Sequence, residues 1–308
     1  MKTINSFLLA LFVLCQVSAA AQERRVIVKN YDVGTSAGLS INNTFGDVRI
    51  EEGSSGRIEA TIYVSIDVKN TSQAQKYFDM INIEATKAGN SVSFRTINNL
   101  KGNNGIRSFS IDYVVKIPEG TKLDIRNQFG DVTVEAASAQ LKLNVQHGDA
   151  SISDVKGTGS IIKVQFGDLR MKSAGAAEVR IEHGDFDGGD MRDLDLDSQF
   201  GDVKISGLSG KSSVSGQHGD VLLTAHKGMS DLNVDVQFGD LDLVGFSQLP
   251  ADIDANSSFG DISWKGDYKV EKIASGMNNS HFRLLPILGG AANVSIRLHS
   301  QHGDINLR

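Results

Sequence analysis

Four histidines recur at one place in a repeated phrase. His147, His183, His218 and His302 each stand directly before Gly-Asp, and Phe129, Phe166, Phe200 and Phe238 hold that place in the intervening copies. Imidazole is the side chain best suited to ligate zinc or to change charge near neutral pH. To share one zinc ion, two nitrogens would have to lie within about 3.5 Å of each other, since Zn–N bonds are about 2.0 Å. If each phrase occupies one coil of a stacked chain, successive histidines lie two coils apart, about 9.6 Å, and cannot share a metal. If a coil spans two phrases, Phe and His form separate columns at about 4.8 Å, which opens metal bridging or a pH-sensitive imidazole ladder. The simpler reading is a corner position where flat rings stack and an imidazole nitrogen reaches backbone or water.

Each phrase also carries an Asp. A ladder of carboxylates repels itself, and Ca²⁺, with oxygen ligands at about 2.3–2.6 Å, could bridge it. The densest acidic stretch, "HGDFDGGDMRDLDLDSQFGD", contains Asp185, Asp187, Asp190, Asp193, Asp195, Asp197 and Asp202, which are the calcium candidates. Leu194 and Leu196 read as inward, which places Asp193, Asp195 and Asp197 on one outer edge. The "GGxGxD" pattern of calcium-binding rolls is absent, and a single Asp per turn serves equally as a turn cap or as a solvated face that resists edge association. The third set is Gln146, Gln165, Gln199, Gln217, Gln237 and Gln301, each one residue before the ring. By parity they point outward, as a ligand-binding column or a structural amide ladder.

The elements that must hold these residues follow from the spacing. The phrase has its Gly at 46, 130, 148, 167, 184, 201, 219, 239, 260 and 303, and "NSHFRLL" around His281 reads as a worn copy inside the last gap. Ahead of Gly-Asp the apolar residues alternate, as in Leu141, Leu143, Val145 and His147, which predicts a half-buried strand with the ring on its inner side. After Gly-Asp the inward parity shifts by one, to Ala150 and Ile152. Such a reset marks a hairpin turn or a solenoid corner, and near-constant unit length favours the corner. The expected fold is therefore an all-β parallel solenoid with rungs of about 18–21 residues.

The opening "MKTINSFLLALFVLCQVSAAAQE" has the layout of a secretory signal peptide over 1–21, cut before Gln22; Leu14 argues against lipidation of Cys15. Residues 22–122 depart from the repeat. "RIEATIYVSIDV" reads as a long strand, "TSQAQKYFDMINI" as a short helix capped by Thr71 or Ser72, and Pro118-Glu119-Gly120 as a turn. This section is expected to cap the array formed by residues 123–308, with 22–308 as one continuous domain.

The chain has one Cys, inside the leader, so the exported part has neither disulfide nor thiol nucleophile. Its 31 basic and 37 acidic residues, net −6 without a basic stripe, argue against nucleic acid. No later segment has the apolar length of a membrane-spanning helix; the short "LLPILGG" at 284–290 contains Pro286.

The "LSINNTFGDVRIEE" opening, the "AQKYFDMINIEATKAGNSVSF" section and the run of Gly-Asp units resemble a bacterial family of provisionally assigned adhesins with β-strand repeats, long catalogued as a domain of unknown function. The resemblance covers nearly all of the mature chain, although the regular His and Phe alternation departs from it. It implies a right-handed β-helix-like fold outside the cytoplasm, a binding or adhesive role, and no catalytic residues. The expected function is a non-catalytic envelope module that presents repeated polar faces to a glycan, an envelope polymer or a protein. A polysaccharide-acting enzyme and a structural or signalling envelope component are the alternatives, with any groove expected beside 266–294. No cofactor is expected beyond the calcium considered above, and the location is periplasmic, outer-membrane surface or extracellular.

Overall fold

The computed structural model describes residues 22–100, 105–135, 138–276, 278–286 and 293–308. The leader, including Cys15, and most of "LLPILGG" lie outside the described residues.

One coil shows how the repeat folds. Strand Gln140–His147 turns Leu141, Leu143 and Val145 into the core, Gly148-Asp149 makes the corner, and strand Ala150–Val155 turns Ala150 and Ile152 inward. The next coil, Ser160–Gln165 and Leu169–Ala174, stacks in parallel, with Leu143 beside Ile162 and Ala150 beside Leu169. That offset equals one phrase, so a coil takes one phrase and not two. The two strands of every coil build two stacked faces with aliphatic residues between them. Burial of these side chains supplies the main driving force.

Ten coils stack in this way, but not in chain order. The first, Gly38–Phe45 with Val48–Glu52, pairs directly with Lys122–Phe129 and Val132–Val134. The array therefore begins at Gly38 rather than near 123, and residues 57–117 are an excursion between its first two coils. Within it, strand Ile106–Ile117 pairs in parallel with Val48–Glu52 and antiparallel with Arg57–Val68, which in turn pairs with Gln22–Asp32. Strand Ser91–Asn98 lies beside Gly38–Phe45 and pairs antiparallel with Ile81–Ala88. The sheet is thus mixed rather than wholly parallel.

The helix is present as Thr71–Gln73 in 3₁₀ form followed by Ala74–Phe78, but its cap is Asn70 and not Thr71 or Ser72. Asn70 is extended, and its Oδ1 accepts from Ser72 N–H at 3.1 Å.

The other end also departs from the expectation. Strand Val294–His302 with Ile305–Leu307 slots between the coil of Val221–Phe238 and Leu241–Val244 and the coil of Ala251–Ser258 and Ile262–Trp264. The supposed worn copy around His281 is no coil. Asn279–Pro286 forms an antiparallel hairpin with Tyr268–Gly276 and packs along Ala251–Ser258.

Candidate functional site: the Gly-Asp edge

At each corner the ring residue is the last of its strand or, for Phe166, His183 and Phe259, the first residue past it. Its ring neighbours are the rings above and below. The rings form one column in the order Phe45, Phe129, His147, Phe166, His183, Phe200, His218, Phe238, His302 and Phe259. Centroids are 4.7 to 5.1 Å apart and planes within 17° of parallel. The period-two reading had placed these rings inside. Instead they line an exposed edge, with Phe166 at 52% and Phe259 at 58% exposure. Alternation predicts the inner face only while the backbone stays extended, and Phe166 and His183 already have φ of 56° and 57°.

Histidines thus lie two coils apart, each stacked between phenylalanines, and none neighbours another. The late insertion of His302 matters here. In chain order Phe238 is followed by Phe259, whereas in space His302 separates them. A column of phenylalanine alone would be a long exposed apolar stripe, and adjacent imidazoles would repel once protonated.

The glycine follows from close approach. A Cβ on Gly148 would lie 2.2 Å from the Gly130 carbonyl oxygen, and one on Gly184 would lie 1.9 Å from that of Gly167. The corners stack too tightly for any side chain.

The Asp forms a directional ladder. Asp131 Oδ1 accepts from the Asp149 N–H at 2.8 Å, Asp149 from Asp168 at 2.9 Å, and Asp202 from Asp220 at 2.9 Å. One oxygen of each such carboxylate is therefore spent on the next coil's backbone. Among the calcium candidates, Asp185 and Asp202 belong to this ladder. Asp187 and Asp190 lie on strand Phe186–Arg192 of one face, and Asp195 and Asp197 lie on strand Leu194–Phe200 of the other. Asp193 sits at the opposite corner, where its Oδ1 accepts from Lys211 N–H at 2.8 Å. Leu194 and Leu196 are buried as expected, but the seven acids are spread over two faces and both corners. Among the described residues, no three His, Cys, Asp or Glu side chains are grouped to hold a metal ion.

The six glutamines do share one outward column, beside the rings. The register adds two residues that the sequence reading left out: Gln128, which precedes Phe129, and Glu182, which precedes His183. Both were visible from their place in the phrase. Gln165 Nε2 donates to Glu182 Oε2 at 2.7 Å, so this part of the column is an amide–carboxylate ladder. At its first coils the column opens into a polar groove of about 260 Å³ lined by Asn42, Thr44, Arg126, Gln128, Asn144 and Gln146.

Buried polar side chains occur along the array, and two of them, Asn43 and Thr96, form a linked set with Tyr113 at the first coil. Asn43 Nδ2 donates to the Ile111 carbonyl at 3.0 Å, and its Oδ1 accepts from Thr96 Oγ1, which also meets Tyr113 Oη at 2.8 Å. Burial pushes the Tyr113 phenol up to about 12, despite the opposing Thr96 hydrogen bond. At the far end Arg283 Nε donates to Asp252 at 2.8 Å, and this bond holds the Asp252 carboxyl below the usual carboxylate range.

A family model described as Toastrack DUF4097 matches residues 37–308, so the chain belongs to that family. Solved structures of similar shape include a provisionally assigned adhesin from Bacteroides fragilis NCTC 9343, at 11% identity and TM-score 0.42, covering 92% of this chain and 97% of that one. One of the same description from Parabacteroides distasonis ATCC 8503 has 13% identity and TM-score 0.34, with the same coverage. A provisionally assigned lipid-binding protein from that strain has 11% identity and TM-score 0.30, again covering 92% and 97%. The search of curated proteins gives no match. No helix among the described residues is long and apolar enough to cross a membrane.

Proposed function

We propose that this Toastrack protein is a non-catalytic, exported binding module whose ligand lies along the Gly-Asp edge, on the glutamine column and the groove at its start. The observation that carries the reading is the exposed edge itself. Ten coils present ring and carboxylate in parallel columns for about 43 Å, taking about 4.8 Å per coil, and seven of them add a glutamine amide beside the ring. Phenylalanines exposed in regular succession along one edge mark an interaction surface more often than an idle one.

The ring faces are consumed by their neighbours, so sugar-on-ring stacking is available only at a column end. Along the column, recognition falls to hydrogen bonds from Gln128, Gln146, Gln165, Gln199, Gln217, Gln237 and Gln301 and to contact with ring rims. This suits an extended ligand with regularly spaced hydroxyls or amides, such as a glycan or an envelope polymer, gaining affinity from many weak contacts.

The test is a glycan array followed by calorimetry on the wild type and on a Gln146→Ala, Gln165→Ala, Gln199→Ala variant. Loss of about ten-fold or more in affinity supports the reading. An unchanged affinity with lowered thermal stability would make the column a purely structural ladder. Export is tested by fractionation, with the mature chain expected outside the cytoplasm and beginning at Gln22.

A further inference from the structure

The corner ladder has a direction, and it is finished at only one end. At the first coil, Asp112 acts as the missing preceding corner: its Oδ1 accepts from the Asp47 N–H at 3.0 Å, while Tyr113 N–H donates to the Asp47 carbonyl at 2.8 Å. Phe109 closes the ring column, edge-on to Phe45 at 4.8 Å. The last coil has no such successor. Its Asp261 N–H donates to Asp304 Oδ1 at 2.8 Å, but among the described residues no next amide reaches Asp261 Oδ1. In earlier coils the N–H groups equivalent to those of Gly260 and Ile262 donate onward, as Gly130 does to His147 and Val132 does to Asp149. Among the described residues, strand Ile262–Trp264 pairs with Ile305–Leu307 alone, and no strand pairs with its other edge.

Side chains tell the same story. Ile305 and Leu307 are 0% and 1% exposed, whereas Ile262 and Trp264 at the matching places are half-buried. Phe259 has His302 as its sole stacked ring among the described residues. The hairpin Tyr268–Gly276 and Asn279–Pro286 covers the other face of this coil up to the ring, where the Asn278 carbonyl accepts from Phe259 N–H at 3.1 Å, and it stops at the corner.

We propose that this open corner, Phe259 to Trp264, docks an extended polypeptide segment that continues the ladder as an eleventh corner. The vacant groups specify the segment. A ring residue stacks on Phe259, glycine must follow, and the N–H of the residue after it reaches Asp261 Oδ1. Trp264 already meets Phe282, with ring centroids 5.3 Å apart, so alternating apolar residues then cover Ile262 and the open side of Trp264. Glycine is required because each corner's Cβ would fall about 2 Å from the preceding glycine carbonyl, as at Gly239, where the distance is 2.0 Å. Only a polypeptide backbone supplies the donor and the two acceptors at strand spacing, the chemistry of strand addition. A second copy fits poorly. The end that would supply the next corner, the first coil, is already covered by 109–113.

The reading is independent of the glutamine column. Trp264 is the sole tryptophan of the chain and stands in the site, so its fluorescence reports occupancy. The probe is a nine-residue peptide copying Ser198–Ser206, "SQFGDVKIS", titrated to millimolar concentration into the full chain. A saturable change in Trp264 emission is expected, weakened about ten-fold or more when the peptide's glycine becomes alanine or when the protein carries Phe259→Ala or Asp261→Ala. Circular dichroism checks that the variants stay folded. No response, an equal response to the alanine peptide, or binding indifferent to both variants would overturn the proposal. So would a dimer by sedimentation that shields Trp264 without peptide.

Discussion

The two ends of the array answer the same problem in opposite ways. At the first coil, the excursion 57–117 lays Ile106–Ile117 and Ser91–Asn98 along both faces and lends Asp112 to the corner. At the last coil, a hairpin covers one face and, among the described residues, leaves the corner and the outer edge of strand Ile262–Trp264 without a paired strand. Unpaired strand edges attract other strands, and repeat arrays therefore need caps. An end capped on one face only is either a tolerated defect or a place kept for a partner. The vacant donors and acceptor at Phe259–Trp264 favour the second.

Substitutions can break or sharpen this contrast. Gly184→Ala in the middle of the column should have the largest effect, a loss of more than about 3 kcal/mol, because the added methyl meets backbone on a neighbouring coil. Gly276→Ala in the terminal hairpin has open space around it and should change stability by less than about 0.5 kcal/mol in denaturant titration.

The buried phenol at the capped end gives a pH signature. Its folded value lies above the unfolded one, so its contribution is intact below about pH 10 and lost as pH rises towards about 12. Two units correspond to roughly 3 kcal/mol. Tyr113→Phe should cost about 1 kcal/mol at pH 7 and remove that part of the alkaline destabilisation, as seen by comparing unfolding midpoints between pH 9 and 12.

The ring column offers a smaller comparison. Phe166→Ala removes two stacked contacts, with His147 and His183, whereas Phe259→Ala removes one. Losses of about 1–2 and about 0.5–1 kcal/mol are expected. The Asp ladder should give the smallest difference. Asp202→Ala leaves the Asp220 amide without its acceptor and should cost about 1 kcal/mol, while Asp261→Ala should be nearly neutral without a bound segment.

Much of the coil was legible before any coordinates. Leu141, Leu143 and Val145 announce a strand by their spacing, the shift to Ala150 and Ile152 announces a corner, and near-equal intervals announce stacking. Gln146 and its equivalents were readable as an outward column for the same reason. Local periodicity carries all of this, because strand side chains alternate regardless of what they face.

It could not carry the exposure of Phe166, since alternation says nothing of a residue at a bend. Nor could it place Asp187 and Asp195 on different faces, because their nearness along the chain is undone by the corner at Asp193. The capping role of Asp112 carries no mark in its neighbourhood. It depends on a strand returning from the excursion to lie beside a coil some 65 residues earlier.

The sequence by itself determined the repeating unit, its corner and the side chains each coil presents, because these rest on interactions within about twenty residues. The tertiary structure alone decided the order of the coils. Val294–Leu307 enters between two earlier units, where His302 separates Phe238 from Phe259 and Asp304 bridges Asp240 and Asp261. All coils offer nearly the same ladder groups, so local pattern leaves their order open. It is settled by the sum of contacts over a whole stacked face.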